Sequence, residues 1–186
     1  MSESMKPRHH LTVEEYLELE ESSTVKHEYV GGDIHAMTGG SYRHNAITVN
    51  IVRKLADAAD GTSCRVYVND MKVRIEDSPF YYPDVMVVCE PLASENPVFE
   101  DKPCLLVEVI SPSTEKIDRR EKLQNYQRIP SLRAYIIAAQ DRKWISHYFR
   151  DESGVWIRGD LVEEGKIPVP CPPGAELRVE DIYAGL

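Results

Sequence analysis

The sequence has little of what would mark an unusual class of protein. Its 186 residues include four cysteines, two tryptophans and three phenylalanines. No apolar run approaches the length of a membrane-spanning helix and the first residues form no apolar signal segment, so we expect a cytoplasmic protein without a membrane partner. Hydrophobic residues make up 42% of the chain, which is enough for a substantial core and excludes disordered, collagen-like and coiled-coil classes.

The cysteines also lack a spacing that indicates metal binding. They stand at Cys64, Cys89, Cys104 and Cys171, and no two are close enough along the chain for a zinc clip of the C-x-x-C type. Cys89 and Cys104 lie in apolar runs, where cysteine acts as a small core residue. The sequence therefore predicts reduced and inert cysteines.

Positive charge is scarce. The chain has 22 lysines and arginines against 31 acidic residues, which gives a formal net charge of −9. This balance argues against a large nucleic-acid-binding surface, because phosphate binding normally needs basic residues in excess. A cleft with local basic edges is still compatible with it, and so is a protein that concentrates carboxylates around a cation.

Hydrophobic periodicity predicts an α/β protein with an N-terminal hairpin and C-terminal antiparallel strands. A capping box at Thr12 and Glu15 begins a short helix. Strands are expected at 26–30, 33–37, 64–68, 71–75, 83–88, 105–110, 134–139, 143–149 and 155–162, and further helices at 43–59 and 115–129. Loops are expected at 91–103 and in the Pro-rich tail beyond Lys166, which packs over the sheet. No linker interrupts the chain, so residues 11–186 are expected to form one domain after a flexible tail of residues 1–10.

Glu108 is the most informative residue, because it interrupts an otherwise continuous apolar run. In a strand, Leu106, Glu108 and Ile110 face the same way, so both neighbours of Glu108 on that face are apolar. A lone carboxylate in such a place is costly to desolvate unless it has a partner. The alternative is a carboxylate at an exposed strand end, which needs none.

Asp84 adds a second acid at the start of another predicted strand. It follows Pro83, so it could equally be an ordinary turn residue. If the two strands share a sheet, Asp84 and Glu108 come together, and adjacent carboxylates repel unless a cation or a proton separates them. A hard cation such as Mg²⁺ uses one or two carboxylates together with waters and phosphate oxygens. That combination is what hydrolysis of a phosphodiester requires.

Lys122 is the candidate for a positively charged group beside these acids. Asp118, Lys122 and Tyr126 are four residues apart, so they share one face of the predicted helix. A short turn after the Glu108 strand would bring this face back toward the carboxylates, where a lysine orients water or stabilises the charge on phosphorus. The alternative is a solvated salt bridge between Asp118 and Lys122.

Glu28 and His44 complete the set of candidate residues. Glu28 precedes the Gly-Gly turn of the predicted hairpin, and His44 opens the predicted helix at 43–59. His44 lies on the stripe of Ile51 and Leu55, where a histidine is more often a hydrogen-bonded core residue than a ligand. Because His27, His35 and His44 are not spaced as zinc ligands on one element, no structural zinc site is expected.

Motifs at several places along the chain together indicate a family. They are Pro83-Asp84, the segment 106–114, Asp118, Lys122 and Tyr126, the segment 26–33 with His44 downstream, and the segment 133–137. Together they resemble the Uma family of restriction endonucleases, which belongs to the PD-(D/E)XK nuclease superfamily. The resemblance runs from about Leu11 to the C-terminus.

This resemblance implies a restriction-endonuclease-like fold, with a central mixed β-sheet flanked by helices. It maps the metal-binding acids of the superfamily onto Asp84 and Glu108, and an additional acid of the family onto Glu28. The superfamily pattern has lysine two residues after the second acid, where this chain has Ile110. In the Uma family the lysine lies on the following helix, and Lys122 matches that place.

The resulting hypothesis is an endonuclease that uses Mg²⁺ or Mn²⁺ to hydrolyse DNA, with His44 orienting a neighbour or contacting a phosphate. A homodimer would allow both strands of a duplex to be cut. One alternative is a non-cleaving module that keeps the fold and binds nucleic acid or a protein partner, and another is a hydrolase of RNA or a smaller phosphodiester. The acidic net charge requires a locally basic cleft, for which the candidates are Arg43, Lys72, Arg74, Arg119 and Arg120.

Overall fold

The computed structural model describes residues 10–92, 97–111 and 117–186, apart from the side chains of residues 117–119. The helices are α1 (Val13–Ser22), α2 (Tyr42–Ala59), α3 (Leu123–Tyr126) and α4 (Val179–Ile182), and a π-helical segment, Ile117–Lys122, leads into α3. The strands are β1 (His27–Val30), β2 (Asp33–Ala36), β3 (Arg65–Val68), β4 (Lys72–Arg74), β5 (Phe80–Tyr81), β6 (Val85–Val88), β7 (Phe99–Glu100), β8 (Leu105–Ile110), β9 (Ala134–Ala139), β10 (Trp144–Arg150), β11 (Trp156–Val162), β12 (Lys166–Pro168) and β13 (Glu176–Arg178). Within the described part of the chain, no helix has the length and apolar composition that a bilayer crossing needs.

Two mixed sheets organise the molecule. The larger has six strands in the order β11-β10-β9-β8-β6-β3, with β8 and β9 parallel and the other neighbours antiparallel. The second has five strands in the order β2-β1-β5-β4-β7, and β12 and β13 form a separate pair. This mixed α/β architecture confirms the fold class that the sequence predicts.

The centre of the larger sheet is β8, and it is buried on both faces as its apolar sequence predicts. On one face Val107 packs in a core with Ile47, Ile51 and Leu55 of α2, which recur at helical spacing. On the other face Leu106 joins a second core. Because side chains alternate along a strand, Glu108 points into this second core and not toward α2.

The region after β8 differs from the single helix expected at 115–129. Residues 112–116 lie outside the described residues, and the helix that follows has π geometry until Lys122 before a short α3. The chain leaves α3 by i→i−3 hydrogen bonds, in which the backbone N–H groups of Arg128 and Ile129 donate to the carbonyls of Asn125 and Tyr126. Such tight turns are common at the C-terminal end of an α-helix, and here they end α3 before β9 begins.

Two segments expected to be loops contain regular structure. Within 91–103, β7 pairs in parallel with β4, although residues 93–96 lie outside the described residues. The Pro-rich tail forms the β12–β13 pair and α4, whose Val179 and Ile182 are fully buried. Proline is tolerated there because each strand of a two-stranded pair has one unpaired edge, and no backbone N–H is needed on that edge.

The prediction of reduced and inert cysteines is wrong for this structure. Cys64 forms a disulfide with Cys89, and Cys104 forms one with Cys171. The first pair stands just before β3 and just after β6, which are neighbouring strands, and the second ties the start of β8 to the C-terminal tail. Spacing along the sequence gave no sign of this, because the pairing depends on strand order.

Candidate active site

The candidate site lies at one end of the β6–β8 pair. The two strands are antiparallel, with Val85 opposite Val107, so extending the register by one position places Asp84 opposite Glu108. Directly opposed residues on one face of such a pair have Cβ atoms about 5 Å apart. The Asp84 side chain turns toward β8, where its Oδ2 accepts a hydrogen bond from the backbone N–H of Val109 at 2.7 Å. The structure thus brings together the two acids that the sequence singles out.

Glu108 is 4% exposed and has partners within the core. Its Oε1 accepts hydrogen bonds from Lys122 Nζ at 3.1 Å and from Tyr126 Oη at 2.8 Å. Both donors come from the helical turns after β8, which therefore fold back onto the strand as the four-residue spacing predicts. These charge-assisted bonds offset the desolvation of the carboxylate.

Lys122 joins the two sheets through its ammonium group. Its Nζ lies 2.8 Å from Glu28 Oε1 as well as 3.1 Å from Glu108, and 5.5 Å from the centre of the Tyr81 ring. Glu28 stands on β1 in the smaller sheet, and its Oε1 also accepts a bond from the backbone N–H of Tyr82 at 3.3 Å. These contacts thus hold the Lys122 ammonium against the buried acids. The Asp118 side chain lies outside the described residues.

His44 contacts the other acid. Its Nε2 lies 3.1 Å from Asp84 Oδ1, and its side chain is about one-fifth exposed. His44 sits in the first turn of α2, where Ser41 is the N-cap and its side chain accepts a hydrogen bond from the His44 backbone N–H. The cap fixes the start of the helix, so the imidazole is held against Asp84 by local backbone geometry.

Two tyrosines surround Lys122 and Glu108. Burial and the nearby Glu108 carboxylate raise the pKa of Tyr126 well above its ordinary value, so its hydroxyl stays a donor at neutral pH. Burial and Glu121 likewise raise the pKa of Tyr81, whose hydroxyl donates to Glu121 at 3.0 Å and accepts from Asn125 at 2.7 Å. Tyr126 was visible in the sequence only through its spacing from Lys122, and Tyr81 carries no signal in sequence, since its place depends on the pairing of the smaller sheet.

The acids fit a hard divalent cation in charge and chemistry. Asp84, Glu108 and Glu28 bring three buried or mostly buried carboxylates, and within the described part of the chain the Lys122 ammonium contacts two of them. Carboxylate oxygens are the ligands that Mg²⁺ and Mn²⁺ use, and Mg²⁺ needs only one or two from the protein. The three acids are not drawn into one tight ligand set: among the described residues, the donor atoms that lie within 4.8 Å of one another belong to Cys89, Cys104 and Cys171. The fit is therefore to a cation held by the opposed pair Asp84 and Glu108, with Glu28 linked to Glu108 through the Lys122 ammonium.

The candidate basic residues divide between the interior and the surface. Lys72 is buried, its ammonium donates to Tyr82 Oη at 3.2 Å, and burial lowers its pKa, so it does not form a cleft edge. Arg74 bonds to Asp101 at 3.0 Å, which neutralises its charge. Arg120 is exposed, and Arg43 is exposed with its Nε donating to the Gln140 carbonyl at 2.6 Å. The Arg119 side chain lies outside the described residues.

Comparisons with known proteins agree with this architecture. Residues 13–180 match the Uma2 family, which is described as "Putative restriction endonuclease". A crystal structure of a protein from Anabaena variabilis, described as a putative nuclease belonging to DUF820, superposes with a TM-score of 0.76. It is 17% identical and the match covers 93% of this chain and 97% of that one, so it shows a shared fold.

Two relatives in Synechocystis sp. extend the match in sequence. The protein slr1290 is 36% identical over 177 residues, covering 95% of this chain and 93% of the relative. The protein sll1609 is 33% identical over 162 residues, covering 83% of this chain and 89% of the relative. Both are described as uncharacterised, so they carry no activity to compare. On the family match over nearly its whole length, which confirms the resemblance seen in its motifs, the chain belongs to the Uma2 family of restriction-endonuclease-like proteins.

Proposed function

We propose that this protein is an endonuclease that hydrolyses phosphodiester bonds in DNA with the help of Mg²⁺ or Mn²⁺. The observation that carries the proposal is the buried contact of Lys122 Nζ with Glu108 Oε1 at 3.1 Å, next to the opposed Asp84. Two carboxylates can hold a divalent ion that activates water and polarises a phosphate, and a lysine beside them can stabilise the charge that develops on the phosphoryl oxygens. Membership of the family described as "Putative restriction endonuclease" supports the same activity.

Asp84 and Glu108 are the residues that would hold the metal, and Glu28 would assist. Bound there, the ion would supply positive charge to the scissile phosphate and activate water. Lys122 then stabilises the negative charge that develops on the phosphoryl oxygens, because its ammonium is held at the acids by two short contacts. His44 is a positioning residue, since it keeps Asp84 Oδ1 oriented while Val109 N–H holds Oδ2.

We propose a cytoplasmic location, which would give access to intracellular DNA. The net charge of −9 means that DNA contacts must be local, and the exposed Arg43 and Arg120 are the described candidates. A homodimer would supply one site for each strand of a duplex, and light scattering would measure it.

Cleavage of supercoiled plasmid with Mg²⁺ or Mn²⁺ tests the proposal. We expect metal-dependent nicking or linearisation by the wild type, and a loss of at least about 100-fold in Asp84→Asn, Glu108→Gln and Lys122→Ala. Asp57→Asn is the matched control, because Asp57 is an exposed acid on α2 far along the helix from His44. It should cut at the wild-type rate.

The same experiment contains the outcomes that would reject the proposal. Equal cleavage by the wild type and all three site variants would mean a contaminating nuclease. Intact DNA in every sample, together with tight DNA or protein binding, would favour a non-cleaving module that keeps the nuclease fold. Cleavage of RNA but not of DNA would keep the site and change the substrate.

A further inference from the structure

A second cluster of chemically active side chains lies outside the candidate active site. All four cysteines meet at one place, although they come from four separate segments of the chain. The Cys64–Cys89 and Cys104–Cys171 disulfides are adjacent, with Cys89 Sγ only 3.7 Å from Cys104 Sγ. The sulfur atoms of Cys89, Cys104 and Cys171 all lie within 4.8 Å of one another.

The separation of Cys89 and Cys104 matches an edge of a tetrahedral thiolate site, whereas the bonded pairs Cys64–Cys89 and Cys104–Cys171 must move apart after reduction. Zinc binds cysteine sulfur at about 2.3 Å, so the edges of a tetrahedron of four sulfurs measure roughly 3.8 Å. The gap of 3.7 Å between Cys89 and Cys104 already has that length. Four cysteines without a further ligand form a closed tetrahedral site of the structural kind.

The backbone around the cluster is fixed by the sheet. The N–H of Cys104 donates to the Val87 carbonyl at 2.8 Å, and the Cys104 carbonyl accepts from Arg133 at 3.0 Å and Ala134 at 3.2 Å. The N–H of Cys64 donates to Thr62 Oγ1 at 3.0 Å. Residues held in this way need little reorganisation to present their sulfurs to one ion.

The surroundings give access to a metal and favour the thiolate form. A cleft of about 320 Å³ is lined by all four cysteines, and its charged lining residues are Lys102, Arg133 and Glu90. Cys171 is buried, whereas the other three cysteines are partly exposed, so an ion can enter from solvent. Positive side chains beside thiols favour the thiolate, which is the form that binds metal, and here Lys102 and Arg133 outnumber the one acid, Glu90.

We propose that, when reduced, Cys64, Cys89, Cys104 and Cys171 bind one Zn²⁺ ion as four thiolates. The two disulfides and the zinc site are then alternative states of one cluster. Two equivalents of a dithiol reductant convert the two disulfides to four thiols and are themselves oxidised to disulfides. Binding of one Zn²⁺ by the four thiols releases four protons, so both steps balance.

Such a site would be structural. It would join the ends of β3, β6 and β8 to the C-terminal tail, which are the segments that the two disulfides join. It is separate from the candidate active site, because Cys89 and Asp84 are five strand residues apart, or about 17 Å. Zinc binding here and DNA cleavage there can therefore fail independently.

Metal analysis of the reduced protein tests the proposal. We expect one zinc ion per chain after refolding with a dithiol and equimolar Zn²⁺, and four alkylatable thiols once a chelator and denaturant are added. Co²⁺ in place of Zn²⁺ should give sulfur-to-cobalt charge-transfer bands and the strong visible bands of a tetrahedral ion. Cys89→Ser and Cys171→Ser should lose both signals, whereas Ser63→Ala, which alters the same cleft without a sulfur ligand, should keep them.

Variants at the other end of the sheet locate the ion. Asp84→Asn and Glu108→Gln should retain the zinc and the cobalt bands. Zinc that is lost in these variants and retained in the cysteine variants would overturn the proposal, as would four free thiols without bound zinc. Disulfides that persist in the presence of the dithiol and Zn²⁺ would overturn it too. If the cysteine variants do not fold, the cobalt spectrum and thiol count of the wild type still decide.

Discussion

The two ends of the β6–β8 pair carry different chemistry on one scaffold. At one end Asp84 stands before β6 beside Glu108 of β8, and at the other Cys89 follows β6 beside Cys104, which precedes β8. Because the strands are antiparallel, one pairing register creates both meetings. The strand pairing therefore determines which residues come together at each end, and the types of side chain determine which chemistry is possible there.

The two ends differ in how their polar atoms are accommodated. The carboxylates are buried. Each of them contacts a hydrogen-bond donor or a positively charged group of the protein. Three of the four cysteines are partly exposed around an open cleft. Oxygen ligands suit Mg²⁺ and Mn²⁺, and thiolates suit Zn²⁺, which is why we propose different metals for the two ends. The carboxylate end depends on Lys122 for its charge balance, and this dependence is open to test.

Replacing Lys122 should produce the largest change. In Lys122→Met, the Glu28 and Glu108 carboxylates lose the ammonium that contacts both of them. We expect the free energy of unfolding to fall by about 3 kcal/mol, because one partner of a buried ion pair is removed. Added Mg²⁺ should recover part of the loss, since a cation that binds the folded state stabilises it. Urea unfolding with and without Mg²⁺ measures both effects.

Lys54→Met supplies the matched control. Lys54 pairs with Asp181 at 3.0 Å but is almost half exposed, and an exposed ion pair contributes less than about 1 kcal/mol. A loss in Lys54→Met as large as that in Lys122→Met would contradict the argument that burial makes the carboxylate end sensitive to charge.

Removing the Tyr126 hydroxyl should have a smaller effect. Tyr126→Phe deletes the 2.8 Å hydrogen bond to Glu108 and leaves the bond from Lys122, so we expect a loss of about 2 kcal/mol at neutral pH. The pKa of Tyr126 is raised in the folded protein, so above about pH 10 the unfolded chain loses this proton while the folded protein keeps it. Stability therefore falls as pH rises beyond that point. The fall should be shallower in Tyr126→Phe.

Tyr42→Phe checks this assignment, since Tyr42 is 76% exposed. It should match the wild type in denaturant midpoint at neutral pH and in the alkaline range. An alkaline fall of unchanged steepness in Tyr126→Phe would show that other tyrosines carry the effect.

The carboxylate end could be predicted from sequence, whereas the cysteine end could not. Glu108 stands out within an apolar strand, and Lys122 follows it within one short turn and helix, so local periodicity is enough to bring them together. Glu28 and His44 are more distant in sequence, and their place rested on the family resemblance. Cys104 and Cys171 are 67 residues apart, and their meeting requires the path of the C-terminal tail.

The fold shows the same division between local and distant signals. The hairpin at Gly31-Gly32 and helix α2 appear where turn residues and helical spacing predict them. The two-residue strands β5 and β7 were missed, because they exist only through pairing with other strands: β5 pairs with β1 and β4, and β7 pairs with β4. The π-helical segment was missed for a related reason: its sequence suits an α-helix, and its geometry accompanies the contact of Lys122 with Glu108.

Replacing His44 should cause the smallest of these changes and shows whether Asp84 needs to be held. In His44→Ala the Asp84 Oδ1 loses its partner at 3.1 Å, so we expect about tenfold more Mg²⁺ to be needed for half-maximal cleavage. His44→Gln should recover most of this, because an amide N–H can donate to the same oxygen. His10→Ala, at a histidine that is mostly exposed and contacts Asp33, is the control without effect. A loss of kcat at saturating Mg²⁺, with an unchanged metal requirement, would instead mean that the imidazole contacts the phosphate.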